Sequence, residues 1–260
     1  MLGKLLKYEF KATSRILIPL YLILLITTGI NRLILLLDIF EGSLMIIPAI
    51  MKALFMLSVI TIFITAFILM IYRFYKNLLS DEGYLMFTLP AKTHQLIISK
   101  YLATLTWLLV SIIIIIGSAV LAIGTPENIK LVLNRLNEFL LQFEASGNNI
   151  TVTIITLLLF CLTSFITYIS LIYASIAIGQ LFTKNRLVGA FVSYIGISTL
   201  MQLLLLLLLV MTNVFRSIIT NGNNMIPLKL LLGIIVYQFV VSIIFFITTN
   251  TIFQKKLNLE

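Results

Sequence analysis

Long uninterrupted runs of apolar residues constrain this chain more than any other feature. The stretch "WLLVSIIIIIGSAVLAI" (107–123) and the block "LLLLLLLV" (203–210) show no alternation of polar and apolar residues, whereas β-barrel strands alternate over segments of about ten residues. Several runs exceed the roughly 18 apolar residues that a spanning helix needs. Hydrophobic residues make up 61% of the chain and charged residues 10%, which is too apolar for an ordinary soluble domain. The sequence therefore predicts an all-α, polytopic membrane protein.

Six transmembrane helices account for the apolar runs. Their expected bounds are roughly 16–37, the later part of 44–72, 96–123, 150–178, 187–211 and 225–253. Lys52 restricts the second span, because a lysine is better placed near a membrane interface than inside the hydrocarbon. No separate soluble domain is visible, so residues 1–260 are predicted to form a single transmembrane domain.

Lysine and arginine flank these spans unevenly, which predicts the orientation. With the N-terminus in the cytoplasm, twelve of the 18 basic residues lie on the inner side, as the positive-inside rule requires. The outer six are Arg32, Lys52, Lys130, Arg135, Arg216 and Lys229. We therefore expect a multi-pass protein of the cell membrane with both termini cytoplasmic. The net charge of +9 is attributed to this topology and to anionic lipids, not to nucleic acid.

Two segments outside the spans have amphipathic helical patterns. Residues 1–15 are predicted to form a short interfacial helix along the cytoplasmic surface before the first span. Residues 124–149 are predicted to form an extracellular amphipathic loop with a helix that begins near Pro126. The apolar face of this second helix contains Leu133, Leu136, Leu140 and Phe143. It caps the bundle or lies on the outer membrane surface.

The spans lack groups that would supply energy or catalysis. There is no G-x-x-x-x-G-K-[ST] phosphate loop, and the single histidine, His94, lacks the H-E-x-x-H pattern. The nine acidic residues fall at or outside span ends, whereas proton- or sodium-coupled transporters commonly place carboxylates at mid-membrane. Cys161 alone forms no disulfide or zinc site. We expect no enzyme activity, cofactor or metal, so another molecule must supply any energy.

A cytoplasmic segment at 73–95, between the second and third spans, is the best candidate for contact with such a molecule. Ser80 can cap a short helix, with Asp81 and Glu82 in its first turn. Bulky apolar side chains follow at 84–87, and Pro90 ends the element. An exposed aromatic cluster flanked by charge is typical of a docking surface. The alternative is that these side chains pack against the bundle or the lipid headgroups.

The layout and one motif resemble the permease subunits of the ABC-2 type exporter family. The chain has an N-terminal interfacial helix, six spans and the cytoplasmic sequence Leu89-Pro90-Ala91-Lys92-Thr93, followed by "QLIISKYLATLTW". Ser99-Lys100 holds the position of the family's Gly/Ser-Lys step into the third span. The layout extends over essentially the whole chain, whereas the motif covers only about twenty residues. The Asn213–Pro227 region is short compared with the outer region of many family members.

The resemblance implies a function and a set of site residues. It implies a permease subunit of an ATP-driven exporter, working with a separate ATPase subunit and with a second permease copy or a related permease in the lipid membrane. The coupling segment carried over by resemblance comprises Asp81, Glu82, Gly83, Tyr84, Leu85, Phe87, Leu89 and Pro90. The substrate would be hydrophobic or amphipathic, and its binding residues are unknown.

Alternatives to an exporter remain open from the sequence. One is a non-transport membrane module that anchors or regulates a partner, such as an immunity protein. Another is a membrane enzyme acting on lipids, which the lack of an acid–base pair disfavours. Small residues at helical spacing in the fourth and fifth spans, including Thr163, Thr167, Gly189 and Gly196, favour close helix packing over a translocation path.

Overall fold

The computed structural model describes residues 1–37, 46–79, 92–145, 149–182, 185–211 and 228–255. The described residues form seven α-helices and no strand. These are α1 (Leu2–Leu37), α2 (Ile46–Leu79), α3 (Thr93–Ile123), α4 (Pro126–Ala145), α5 (Ile150–Gly179), α6 (Arg186–Met211) and α7 (Leu228–Lys255). The predicted all-α class is confirmed.

Six of these helices are long and apolar enough to cross a membrane, namely all except α4. Each overlaps one of the six predicted spans, so the predicted polytopic membrane protein is confirmed. Helix α2 begins at Ile46 and continues to Leu79, beyond the predicted end near 72. Lys52 lies in the second turn of this helix, and the prediction that the membrane span begins after it stays a prediction.

The first helix differs from the sequence prediction of two separate elements. Residues 1–15 and the first span form one continuous 36-residue helix, about 54 Å long at 1.5 Å per residue. The hydroxyls of Thr13 and Ser14 donate to the carbonyls of Glu9 and Lys11 at 2.8 and 3.0 Å, so helical geometry persists across the expected break. No glycine or proline interrupts positions 4–18. Because the hydrocarbon core is about 30 Å thick, part of α1 must project beyond it.

The described helices pack as two compact units. The first comprises residues 1–74 and 95–134, and the second comprises the described parts of 75–94 and 135–260. In the first unit, α1, α2 and α3 share a buried apolar core. Its buried members are Leu17, Tyr21, Leu24, Phe55, Ile62, Ala66, Leu69 and Ala122.

In the second unit, α5 packs against both α6 and α7. A Cβ atom built on Gly179 would lie 2.5 Å from the Cα atom of Ala190, and one on Gly189 would lie 2.6 Å from the Phe182 ring. Small residues thus let the backbones of α5 and α6 approach closely. Gly196 has no atom within 4 Å of such a Cβ. The close approach of the two helix backbones is therefore seen at Gly179, whereas Gly189 contacts the side chain of Phe182, which follows α5.

Helix α4 confirms a helix in the predicted 124–149 loop. Of the four residues on its predicted apolar face, Phe143 is buried and packs edge-on against Phe139, with ring centroids 5.1 Å apart. Leu133 and Leu136 are more than half exposed. Two of the four residues of that face are thus not covered by the described part of the chain. Its location on the outer membrane surface stays a prediction.

Candidate functional site

The residues that the sequence assigns to ATPase coupling all lie outside the described residues. They are Asp81, Glu82, Gly83, Tyr84, Leu85, Phe87, Leu89 and Pro90, within 80–91. The structure does describe the helices on either side of this segment. Helix α2 ends at Leu79 and α3 begins at Thr93, so these two helix ends are the structural context of the predicted segment.

A buried ion cluster joins α1, α2 and α3 near those helix ends. The Glu9 carboxylate accepts a hydrogen bond from the Lys100 ammonium at 2.6 Å through one oxygen. Its other oxygen accepts from the Arg73 guanidinium, from Nη2 at 2.8 Å and from Nε at 3.0 Å. The side chains of Lys100 and Glu9 are 3% and 7% exposed, and that of Arg73 is 20% exposed. We call Glu9, Arg73 and Lys100 the ion cluster.

Local helix geometry positions each member of the ion cluster. Glu9 lies in the third turn of α1, four residues before Thr13, whose hydroxyl donates to the Glu9 carbonyl. Lys100 lies in the third turn of α3, and the hydroxyl of the preceding Ser99 donates to the Leu96 carbonyl at 2.8 Å. Ser99 is 2% exposed. The Ser-Lys step noted in the sequence is therefore a buried part of α3.

Sequence reasoning did not identify this cluster as a site. It counted Arg73 and Lys100 as flanking charges that orient the spans, and it assigned Glu9 to an interfacial helix. One available signal was that Glu9 is the only acidic residue among the first 37. A lone carboxylate in a basic segment needs a cationic partner if it is buried. The partner's identity was not available, because 64 and 91 residues separate Glu9 from Arg73 and Lys100.

Aromatic side chains extend the contact between α1 and α3 beyond the ion cluster. Phe10 and Tyr21 flank Trp107, with ring centroids 5.9 and 6.2 Å from it. The Tyr21 hydroxyl also shares a 2.7 Å hydrogen bond with the hydroxyl of Ser111. The Trp107 indole nitrogen is buried without a hydrogen-bond partner in the described residues. These rings bind α1 to α3 over about three helical turns.

Polar contacts also connect α1, α2 and α3 at the opposite end of α1. The Asn31 amide nitrogen donates to the Met51 carbonyl at 3.0 Å, and Arg32 donates to the Gly124 carbonyl at 3.1 Å. A cavity of about 260 Å³ beside them is lined in part by Lys52 and Thr125. Polar side-chain contacts thus connect α1, α2 and α3 near both ends of α1.

In the second unit, a polar bridge joins α5 to α7. The Gln238 side-chain oxygen accepts from Thr163 at 2.7 Å, and its amide nitrogen donates to the Ser164 hydroxyl at 3.0 Å. The Thr167 hydroxyl donates to the Gln238 backbone carbonyl at 3.1 Å. We call these four residues the polar bridge. Neutral hydrogen bonds of this kind connect helices inside a membrane at modest energy.

The ion cluster links three helices through charge-assisted hydrogen bonds. In it, one carboxylate accepts hydrogen bonds from two cations. Within the described ranges, no group of three or more histidine, cysteine, aspartate or glutamate side chains is placed to hold a metal ion. The observed contacts of the ion cluster are those of a link between α1, α2 and α3.

Comparison of the chain with protein-family models, with curated proteins and with solved structures finds no match.

Proposed function

We propose that this chain is the membrane-spanning permease subunit of an ATP-driven ABC exporter. It moves a hydrophobic or amphipathic substrate out of the cell with energy from a separate ATPase subunit. The ion cluster is the observation that carries the proposal. Glu9 holds Arg73 and Lys100, which lie on the helices leading into and out of the predicted coupling segment.

A docking segment transmits force only if the helices at its two ends respond together. Arg73 is seven residues before Ser80, and Lys100 is ten residues after Pro90. A shared carboxylate bound to both cations resists separation of α2 from α3 and couples both to α1. Because buried ion pairs are screened little by solvent, this link persists at physiological salt. Movement of a docked ATPase is thus passed to three helices at once.

The absence of an internal energy source in the sequence supports the same function. With no phosphate loop in the chain, ATP hydrolysis belongs to the partner. Two ATPase subunits close as a pair around ATP, so the permease acts with a second copy or with a related permease. Closure then shifts the paired permeases between inward- and outward-facing states. In this proposal both termini and the segment at 73–95 are cytoplasmic.

Co-purification tests the proposal directly. The tagged full chain is extracted from its native host in mild detergent, and stoichiometric partners are identified by mass spectrometry. We expect an ATPase subunit that is lost when Tyr84 and Phe87 are both replaced by aspartate. The matched control is Tyr8→Asp, because Tyr8 is an exposed aromatic residue (69% exposed) on the same predicted side of the membrane. This control should keep the partner.

Two results would contradict the proposal. Recovery of an ATPase subunit at the same stoichiometry from the double variant would show that 80–91 is not the docking segment. Recovery of no ATPase at all, with cellular function intact when ATP hydrolysis is blocked, would indicate an anchoring or regulatory membrane module.

A further inference from the structure

A partly open cavity of about 130 Å³ lies between α5, α6 and α7 in the second unit. Its polar lining residues are Thr167, Tyr168, Ser198, Gln202, Tyr237 and Gln238. The other lining side chains are apolar. An apolar recess with a few convergent polar groups is the usual form of a small-molecule site.

The cavity lies at hydrocarbon depth. Gln202 is 16 residues from the start of α6 and 9 from its end, which places it about 24 and 14 Å from the two ends. Thr167 and Gln238 are each at least ten residues from either end of their helices. The hydrocarbon core is about 30 Å thick. Polar groups at this depth have no bulk water to bind.

Two polar side chains of the cavity lack partners within the described part of the chain. Gln238 is engaged in the polar bridge, and the Tyr237 hydroxyl donates to the Met201 carbonyl at 2.8 Å. By contrast, the Gln202 amide and the Tyr168 hydroxyl make no hydrogen bond there, and both side chains are exposed. In hydrocarbon, a polar group without a partner is strongly disfavoured. These two groups therefore favour a bound molecule that supplies a hydrogen-bond partner.

The lining also restricts the chemistry of that molecule. Among the described residues, no lysine, arginine, histidine, aspartate or glutamate lines the cavity, so none of them offers a counter-ion to a charged group that enters hydrocarbon. A glutamine amide offers two donors and an acceptor, and a tyrosine hydroxyl offers one donor and an acceptor. A neutral group that both donates and accepts hydrogen bonds is complementary to the Gln202 amide and the Tyr168 hydroxyl.

The volume decides how much of the molecule enters. A cavity of about 150 Å³ in another protein holds one benzene molecule, whereas sites for whole drug-sized ligands reach about 300–1,000 Å³. The recess therefore admits one group of a larger molecule, with the remainder lying in the adjacent lipid. It is too small for a helix of a second copy, whose diameter is about 10 Å.

We propose that this cavity binds the neutral amide or hydroxyl group of a lipid-soluble amphipathic molecule, with Gln202 and Tyr168 as its hydrogen-bonding contacts. The proposal concerns binding by this chain alone and does not depend on an ATPase subunit. Its failure would leave the proposed exporter function standing.

Photolabelling of the purified full chain in lipid nanodiscs tests the proposal. The probe is an N-dodecyl acetamide with a diazirine beside the amide. Two comparison probes carry a carboxylate or a trimethylammonium group on the same alkyl chain. We expect the acetamide to label peptides from α5, α6 and α7 around the cavity, at least several-fold more than the charged probes do. Gln202→Leu should reduce this labelling about fivefold, the usual effect of losing one neutral hydrogen bond.

A matched control on the same helix is Thr199→Val. Thr199 is exposed, lies outside the cavity, and bonds only to carbonyls of its own helix. The probe should label the Thr199→Val variant to the same extent as the unmodified chain. Gln202→Leu is expected to fold, because it removes an amide that makes no bond within the described protein. Equal labelling by the three probes, or unchanged labelling of Gln202→Leu, would overturn the proposal. So would crosslinking of residue 202 to a second copy.

Discussion

Replacement of Glu9 by glutamine tests whether the ion cluster holds α1, α2 and α3 together. The variant keeps the size of the side chain but leaves two cations facing a neutral amide. Lys100 is 3% exposed and cannot reach water without moving α3. Arg73 is 20% exposed and can be rehydrated more easily. Lys100 therefore dominates the cost.

Removal of one partner from a buried ion pair costs about 3–5 kcal/mol. Each 1 kcal/mol lowers the melting temperature by about 2–4 °C in a chain of roughly this size. We therefore expect Glu9→Gln to lower the melting temperature by about 10 °C. Glu138→Gln is the matched control, because Glu138 pairs with Arg135 at 3.1 Å on an exposed surface (59% and 76% exposed). An exposed pair contributes at most about 1 kcal/mol.

The chain carries its own spectroscopic reporter for this measurement. Trp107 is the single tryptophan, and its ring lies 5.9 Å from that of Phe10, the neighbour of Glu9. Fluorescence excited selectively at tryptophan therefore follows the packing of α1 on α3 as detergent-solubilised protein is heated. An added Lys100→Met substitution should recover part of the loss, because it removes the buried ammonium along with its carboxylate. We expect a coupling energy of about 1–3 kcal/mol between the two positions.

Equal melting temperatures for Glu9→Gln and Glu138→Gln would refute this reasoning. So would additive losses in the Glu9→Gln/Lys100→Met double variant, since independent effects mean that the two charges do not stabilise each other.

Two further predictions concern the second unit. Gly179→Ala should destabilise the chain by about 1–3 kcal/mol, because its new methyl group would collide with the backbone of α6. Gly196→Ala, whose new methyl group would meet no packed neighbour within 4 Å, should leave the melting temperature unchanged or slightly raised. Equal losses of stability in the two glycine variants would contradict the close approach of α5 and α6. Gln238→Leu should cost about 1–2 kcal/mol by removing the polar bridge, measured by unfolding in denaturing detergent. Thr248→Val, whose hydroxyl bonds only within its own helix, should cost less, and a larger loss would argue against the bridge.

The positions of the membrane helices follow closely from the sequence because burial in lipid is a local property. A run such as 107–123 is strongly apolar on average, so its transfer into hydrocarbon is favourable whatever its neighbours are. The predicted ends at 37, 123 and 211 match those of α1, α3 and α6. The prediction that separated residues 1–15 from the first span was wrong about the break. It relied on a change in composition, which does not by itself end a helix when the residues in between remain good helix formers.

The two candidate functional regions, the predicted coupling segment and the ion cluster, also differ in how far the sequence revealed them. The segment predicted for coupling was recognisable from Pro90 and its aromatic neighbours, and it stays a prediction because 80–91 lie outside the described residues. The ion cluster was not recognisable. The sequence shows that each of its three members is charged, but nothing in the sequence near any of them indicates which residue it pairs with.

The sequence by itself determined that this chain is a polytopic, all-α membrane protein, because the free energy of placing a helix in lipid is a sum over its own residues. Only the tertiary structure decided that Glu9 meets Lys100 and Arg73, and that Gln202 and Tyr168 line one cavity. Those encounters depend on the rotation and relative height of packed helices, which are set by many small contacts between distant segments. A rotation of one residue, about 100°, would direct the same side chains elsewhere.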